Sequence, residues 1–222
     1  MFFHWLERNP FFFAAGISIV ISFAGLLEIV PNFSESSRPL IDMKPRTVLQ
    51  LAGKNVYMKD NCQSCHSQMI RPFKSETDRY GDYSLSGEYA YDRPFLWGSK
   101  RTGPDLHRIG NYRTTDWHEA HMLNPPAIVP GSIMPAYDHQ FENEADIETA
   151  YAEAVTVKNA FHTPYGPEFK GTRAAWDAHR PKVLEEAKVI AADMRDERVK
   201  KAIAEGKVPE VVALIAYLNS LK

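Results

Sequence analysis

Residues 62–66 read Cys-Gln-Ser-Cys-His, and these are the only two cysteines in the 222-residue chain. Two thiols at this spacing can each bond one vinyl group of a single porphyrin, and the imidazole of His66 then falls under its iron. A disulfide framework needs cysteines spread along a small chain, and a structural zinc site would need several ligands from elsewhere. A CxxC redox pair has no use for the histidine that follows it. Five positions fixed in one register therefore predict one covalent c-type haem on Cys62 and Cys65, with His66 as an axial iron ligand. The chemistry to expect is single-electron exchange.

A second axial ligand is sought among seven methionines. Met1 precedes a long apolar run, and Met43 and Met58 precede the attachment motif. Met69 is three residues past His66, too close to reach the opposite face of the ring. Met194 lies in a charged run that reads as helical and exposed. Met122 falls on a predicted helix, WHEAHML, where core packing is the ordinary role of a thioether. Met134 sits in PGSIMPAYD, where Pro130, Gly131 and Pro135 hold the chain out of regular helix. Met134 is the preferred ligand.

Other residues fall into place around that pair. TGPDLHRIG, residues 102–110, reads as a turn, and the carbonyl of Pro104 is placed to accept a hydrogen bond from the second nitrogen of His66, which would orient the ring. Leu106 would pack on the haem. Arg71 and Arg101 are candidates for the haem propionates, with ordinary solvated surface positions as the equal alternative. His118-Glu119-Ala120-His121 is one residue short of the HExxH spacing that binds zinc on a helix, so that reading is rejected.

These residues need elements to hold them. Val48, Leu49, Leu51, Ala52, Val56 and Tyr57 form a helical stripe just before the motif. PEVVALIAYLNSLK at the C-terminus is another helix, opened by Pro209. Gly53 would let these two helices approach closely, with Tyr57 and Tyr217 filling the contact. Residues 67–100 are rich in tyrosine, proline and glycine and read as a long ordered loop suited to docking. Residues 145–207 are charged and helical in pattern, with breaks at 162–170 and near Pro181.

Residues 11–30, FFFAAGISIVISFAGLLEIV, carry one charge, Glu28. Such a run spans about 30 Å as a helix, the thickness of a bilayer core. It can start after Asn9-Pro10 and should stop at Pro31. Phe2, Phe3 and Trp5 suit an interfacial zone. No small-residue cleavage site follows, so a retained anchor is preferred to a signal peptide. Arg8 on one flank against Arg38, Lys44 and Arg46 on the other does not set the orientation. In a bacterial source, haem c attachment outside the cytoplasmic membrane would place the globular part in the periplasm. The expected order is a cytoplasmic tail at 1–10, an anchor at 11–30, a linker at 31–46 and a haem domain at 47–222 with a helical insertion at 145–207. The expected fold is all-α.

With 26 basic and 28 acidic side chains, net charge −2, no nucleic-acid partner is expected.

The order of CxxCH, GPDL turn, late methionine and AYL helix resembles class I cytochromes c. More specifically, CQSCHSQMIRPF, ETDRYGDYSLSGE, PFLWGSKRTGPDLHRIG and DWHEAHMLNP resemble the membrane-anchored mono-haem subunit of cbb3-type cytochrome c oxidases, over about Met43 to Met134. That resemblance implies partners: a catalytic subunit with haem b and a haem–copper oxygen site, a di-haem cytochrome c subunit and, as a further donor, a soluble cytochrome c. It carries over Cys62, Cys65, His66 and Met134, makes the tyrosine-rich loop the contact with the catalytic subunit, and allows a structural calcium there through Gly98 or Ser99. The chain would relay electrons and not catalyse oxygen chemistry alone. The alternatives are the anchored mono-haem subunit of a nitric oxide reductase, a haem sensor or peroxidase with an open sixth site, and an interaction subunit whose haem is structural.

Overall fold

The computed structural model describes residues 2–33 and 42–222, and among these every regular element is helical. Arg38, the side chains of Phe2 and Phe3, and part of the 31–46 stretch lie outside the described residues.

A short helix α1 (Phe2–Glu7) leads into α2 (Pro10–Ile29). Pro10 opens α2, where its missing N–H loses no bond, and Asn9 Nδ2 donates to the Trp5 carbonyl at 2.7 Å. No residue of α2 is buried; Phe11, Ile19 and Leu27 on different faces all lie open. A helix apolar all round with none of its residues buried fits a membrane anchor. Among the described residues it is the one helix long and apolar enough to cross a membrane. It runs into a 3-10 turn at Val30–Phe33, so the expected stop at Pro31 becomes a tightening of the last turn.

The haem motif is positioned by α3 (Val48–Lys59). Thr47 and Gln50 form a reciprocal cap at its start: Gln50 N–H donates to Thr47 Oγ1 at 3.2 Å, and Thr47 N–H to Gln50 Oε1 at 3.1 Å. Asp60 closes it, and Asn61 takes a left-handed conformation (φ 57°) that turns the chain into the Cys62–Ser64 turn.

The helices that follow are α4 (Lys74–Tyr80), α5 (Thr115–Leu123), α6 (Pro125–Ile128), α7 (Ile147–Phe161), α8 (Arg173–Ala192), α9 (Glu197–Ala204) and α10 (Glu210–Asn219). The closest helix pairing is α3 on α10. A Cβ on Gly53 would stand 1.9 Å from the Ala213 carbonyl oxygen, so only glycine permits this approach. The rings of Tyr57 and Tyr217 meet below it with centroids 5.6 Å apart. Residues 210–218 of α10 are all buried.

Helices α7 and α8 also pack on α3, and α8 on α10, so residues 145–207 share the core rather than forming an appendage. Two expectations change here. Pro181 lies inside α8 and does not break it; its ring is exposed, where the lost N–H bond is tolerated. Met194 is buried at 2 % exposure in the α8–α9 connection, because the chain leaves helix there and turns the thioether into the core.

The stretch 67–100 contains α4 and a 3-10 turn at Ser86–Tyr89, and is otherwise irregular. It is tied down from below: buried Lys54 donates to Asp92 at 3.0 Å and to the Pro94 carbonyl at 2.9 Å, and Arg46 pairs with Asp92 at 3.0 Å. On its surface Phe95 and Trp97 stack at 4.6 Å and remain partly exposed.

Candidate haem-binding site

The Cys62–Ser64 turn is closed by His66 N–H donating to the Cys62 carbonyl at 3.0 Å and Cys65 N–H to the same oxygen at 3.1 Å. Cys62 is half-buried and Cys65 exposed, and the two are not joined to each other. Burial, and then the Asp60 carboxylate, pushes the Cys62 thiol up to about 12. A working redox pair needs the opposite, a thiol whose pKa is lowered toward neutrality.

His66 is held from its far side. Its Nδ1 lies 2.8 Å from the Pro104 carbonyl oxygen, which makes Nδ1 the protonated nitrogen and leaves Nε2 with its lone pair. Burial holds the imidazole below its ordinary pKa, against the smaller opposing pulls of the Pro104 carbonyl and Asp105. A neutral ring with one fixed N–H is the form that ligates a metal. Gly103 lies against the ring: a Cβ there would come within 2.2 Å of His66 Cε1.

Asp105 ties the two segments together, and nothing in the sequence pattern singled it out. Fully buried, it accepts from Ser67 Oγ at 2.7 Å, Met69 N–H at 2.8 Å and His107 N–H at 2.8 Å. Backbone bonds flank it, Gly103 N–H to the Cys65 carbonyl and Leu106 N–H to the Ser67 carbonyl, each 2.9 Å. Leu106 itself is buried in the main core. The signal available was the Pro-Asp step of a turn, where a short carboxylate often caps nearby N–H groups.

Arg71 and Arg101 converge on Glu76. Arg71 pairs with one carboxylate oxygen, and Arg101 Nη2 with the other at 2.7 Å and with the Met69 carbonyl at 2.8 Å. Desolvation alone would raise the Glu76 carboxyl, but the side-chain and backbone hydrogen bonds from Arg71, with the charge of Arg101, hold it below the usual range. Arg101 Nε is buried and has no hydrogen-bond partner among the described residues.

Met134 sits in irregular chain after Gly131 (φ 81°), half-buried against the core. Its N–H donates to Ser132 Oγ at 3.2 Å, and Tyr137 N–H returns the loop to the Met122 carbonyl at 2.9 Å. Met122 is buried on α5. On the same helix the Glu119 carboxylate accepts from Arg195 and Asp196 N–H at 2.8 Å each, which anchors the start of α9. His118 is buried and His121 stacks on Trp117 at 4.6 Å. Burial lowers the pKa of both, and the nearness of His66 lowers that of His121 further, so α5 borders the motif.

The donor set suits a haem iron: an oriented neutral imidazole, a thioether in a non-helical loop, and a guanidinium nitrogen still open to an acceptor. No curated protein matches the chain. The family model described as "Cytochrome C oxidase, mono-heme subunit/FixO" matches residues 3–222, which takes in the anchor, the motif and the 145–207 stretch alike. The chain belongs to that family, as a mono-haem subunit that works within a cytochrome c oxidase complex.

Proposed function

We propose that this chain is the electron-relay subunit of a cbb3-type terminal oxidase, taking electrons from a di-haem cytochrome c subunit or a soluble cytochrome c and delivering them to the haem b of the haem–copper catalytic subunit. The single observation that carries the reading is the bond from His66 Nδ1 to the Pro104 carbonyl, 2.8 Å, which aims the unprotonated Nε2 of a CxxCH histidine. When bound, a c-type haem supplies a one-electron couple and no substrate site.

Each residue then has a task. Cys62 and Cys65 provide the two thioether links. His66 and Met134 would hold the iron of such a haem, and two protein ligands would leave it suited to outer-sphere electron exchange. Gly103 and Pro104 set the imidazole plane. Arg71 and Arg101 would serve the propionates from their shared pairing with Glu76, a reading supported by the partnerless Nε of Arg101. Residues 1–10 form a cytoplasmic tail, 11–30 a span of the bacterial inner membrane, 31–46 a linker, and 47–222 a periplasmic haem domain with 145–207 inserted. The stacked, half-exposed Phe95 and Trp97 support 67–100 as the contact with the catalytic subunit, where Gly98 or Ser99 would offer oxygens to a calcium ion. A contact surface of this kind is built from aromatic side chains on an ordered frame.

Purification in mild detergent tests the assignment. A haem–copper catalytic subunit and a di-haem cytochrome c should co-purify with this chain, and the Met134→Ala complex should assemble but show a lower haem c potential and slower oxygen reduction. Absence of a haem–copper partner would overturn the oxidase assignment.

A further inference from the structure

A second cluster of ligand-type side chains lies beside the haem motif without taking part in it. Asp60 closes α3, His139 lies in a 3-10 turn at Asp138–Phe141, and Glu210 opens α10. One ligating atom from each lies within 4.8 Å of the other two. His139 Nε2 is 3.1 Å from Asp60 Oδ2, and Gln140 Nε2 donates to that same oxygen at 2.6 Å. The bond fixes the amide, because the opposite orientation would set its oxygen against a carboxylate.

Two oxygens in this group, Gln140 Oε1 and Glu210 Oε2, are buried and lack a hydrogen-bond partner among the described residues. Gln140 is 0 % and Glu210 7 % exposed. Buried oxygens without a donor are unfavourable unless something else satisfies them, and an ion is one of the few things that can. Lys59 Nζ, 2.5 Å from the other Glu210 oxygen, now supplies positive charge, but its side chain is half exposed and free to swing to solvent.

We propose that Asp60, His139 and Glu210 hold a zinc-type divalent cation, with the Gln140 amide steadying Asp60 through its N–H. Two carboxylates and an imidazole form an N/O set that suits such a cation, with a solvent position to complete its shell, better than calcium or magnesium, which take all-oxygen shells. Zinc bound at about 2.0–2.2 Å in a tetrahedron spaces its ligands about 3.3 Å apart. The His139–Asp60 edge is already 3.1 Å, and the third ligand has a short way to close. The ion would join the end of α3, the start of α10 and the chain after the methionine loop. Asp60 precedes Cys62 by two residues and His139 follows Met134 by five, so both sides of the haem site would be clamped from one point.

The test uses the full-length, haem-loaded chain in detergent, stripped with EDTA and then equilibrated with zinc chloride. One zinc per chain should survive gel filtration, with an X-ray absorption edge showing nitrogen and oxygen neighbours and no sulfur. His139→Ala, at an exposed position, should weaken zinc binding at least tenfold and leave the haem spectrum unchanged, and Glu210→Gln should do the same. Loss of zinc on the column, a sulfur neighbour, or binding that survives both substitutions would overturn the proposal. None of these readouts depends on which oxidase the chain serves.

Discussion

Gly103 lies so close to His66 that a single added methyl group would sit 2.2 Å from the ring carbon Cε1. The contact makes the glycine part of the imidazole's mounting, alongside the Pro104 carbonyl on Nδ1. Gly103→Ala must therefore either tilt the ring or push the 102–107 loop off the motif. We expect a lower haem-to-protein ratio after purification, and a lowered redox potential in the fraction that retains haem. Pyridine haemochrome assay and potentiometric titration measure both; an alanine variant with full haem content and an unchanged potential would show that the contact is incidental.

Asp105 should matter for stability more than for chemistry. It satisfies Ser67, Met69 and His107 from a fully buried position, with Arg101 Nη2 3.5 Å away. Removing a buried charged partner leaves its neighbours unpaired, which costs about 3–5 kcal/mol. Asp105→Ala should lower the denaturant midpoint by that order, while Asp105→Asn, which keeps acceptor capacity, should lose less. Equal losses in the two variants would contradict the account.

The α3–α10 contact can be tested at Gly53. Alanine there brings a methyl group against the Ala213 carbonyl and the Tyr217 Cβ. Overpacking of this kind costs about 1–3 kcal/mol. Thermal unfolding followed by far-UV circular dichroism should show a clear drop for Gly53→Ala and a larger one for Gly53→Val.

His107 should make the protein acid-labile. It is 6 % exposed, stacks on Tyr89 at 4.9 Å and accepts from Ser84 Oγ at 2.5 Å. Burial, with the neighbouring charges of Arg108 and Arg46, lowers its pKa from an ordinary 6.5 to about 3. Between those values the unfolded chain binds a proton that the native protein refuses, so stability is complete above pH 6.5 and falls as the pH drops toward 3. The slope for one such proton is about 1.4 kcal/mol per pH unit. His107→Gln should be less stable at neutral pH, yet its stability should fall less steeply between pH 6 and 4. Urea titrations across that range give the two slopes, and parallel curves would remove His107 from the explanation.

The residues readable from the sequence were those whose chemistry is tied to a fixed local spacing. Cys62, Cys65 and His66 stand in one turn, α2 is announced by uniform hydrophobicity, and the approach of α3 to α10 follows from Gly53 between apolar neighbours. What stayed hidden depends on contacts across the chain. Asp105 gains its meaning from Ser67 and Met69, more than thirty residues away, and Asp60, His139 and Glu210 meet only once α10 has folded onto α3. Local rules misread Met194 and Pro181 for the same reason. A thioether in a charged run is buried because the α8–α9 connection turns it inward, and a proline in a helix is tolerated because it faces solvent.

The proposed function rests on Cys62 and Cys65 binding one haem covalently while His66 faces its iron. Mass spectrometry of the denatured, purified chain tests it most directly. The expected result is a chain heavier by one haem, with no thiol open to alkylation, and loss of that mass when both cysteines are replaced by serine. A chain of bare polypeptide mass with two alkylated cysteines, from cells competent in haem c maturation, would contradict it.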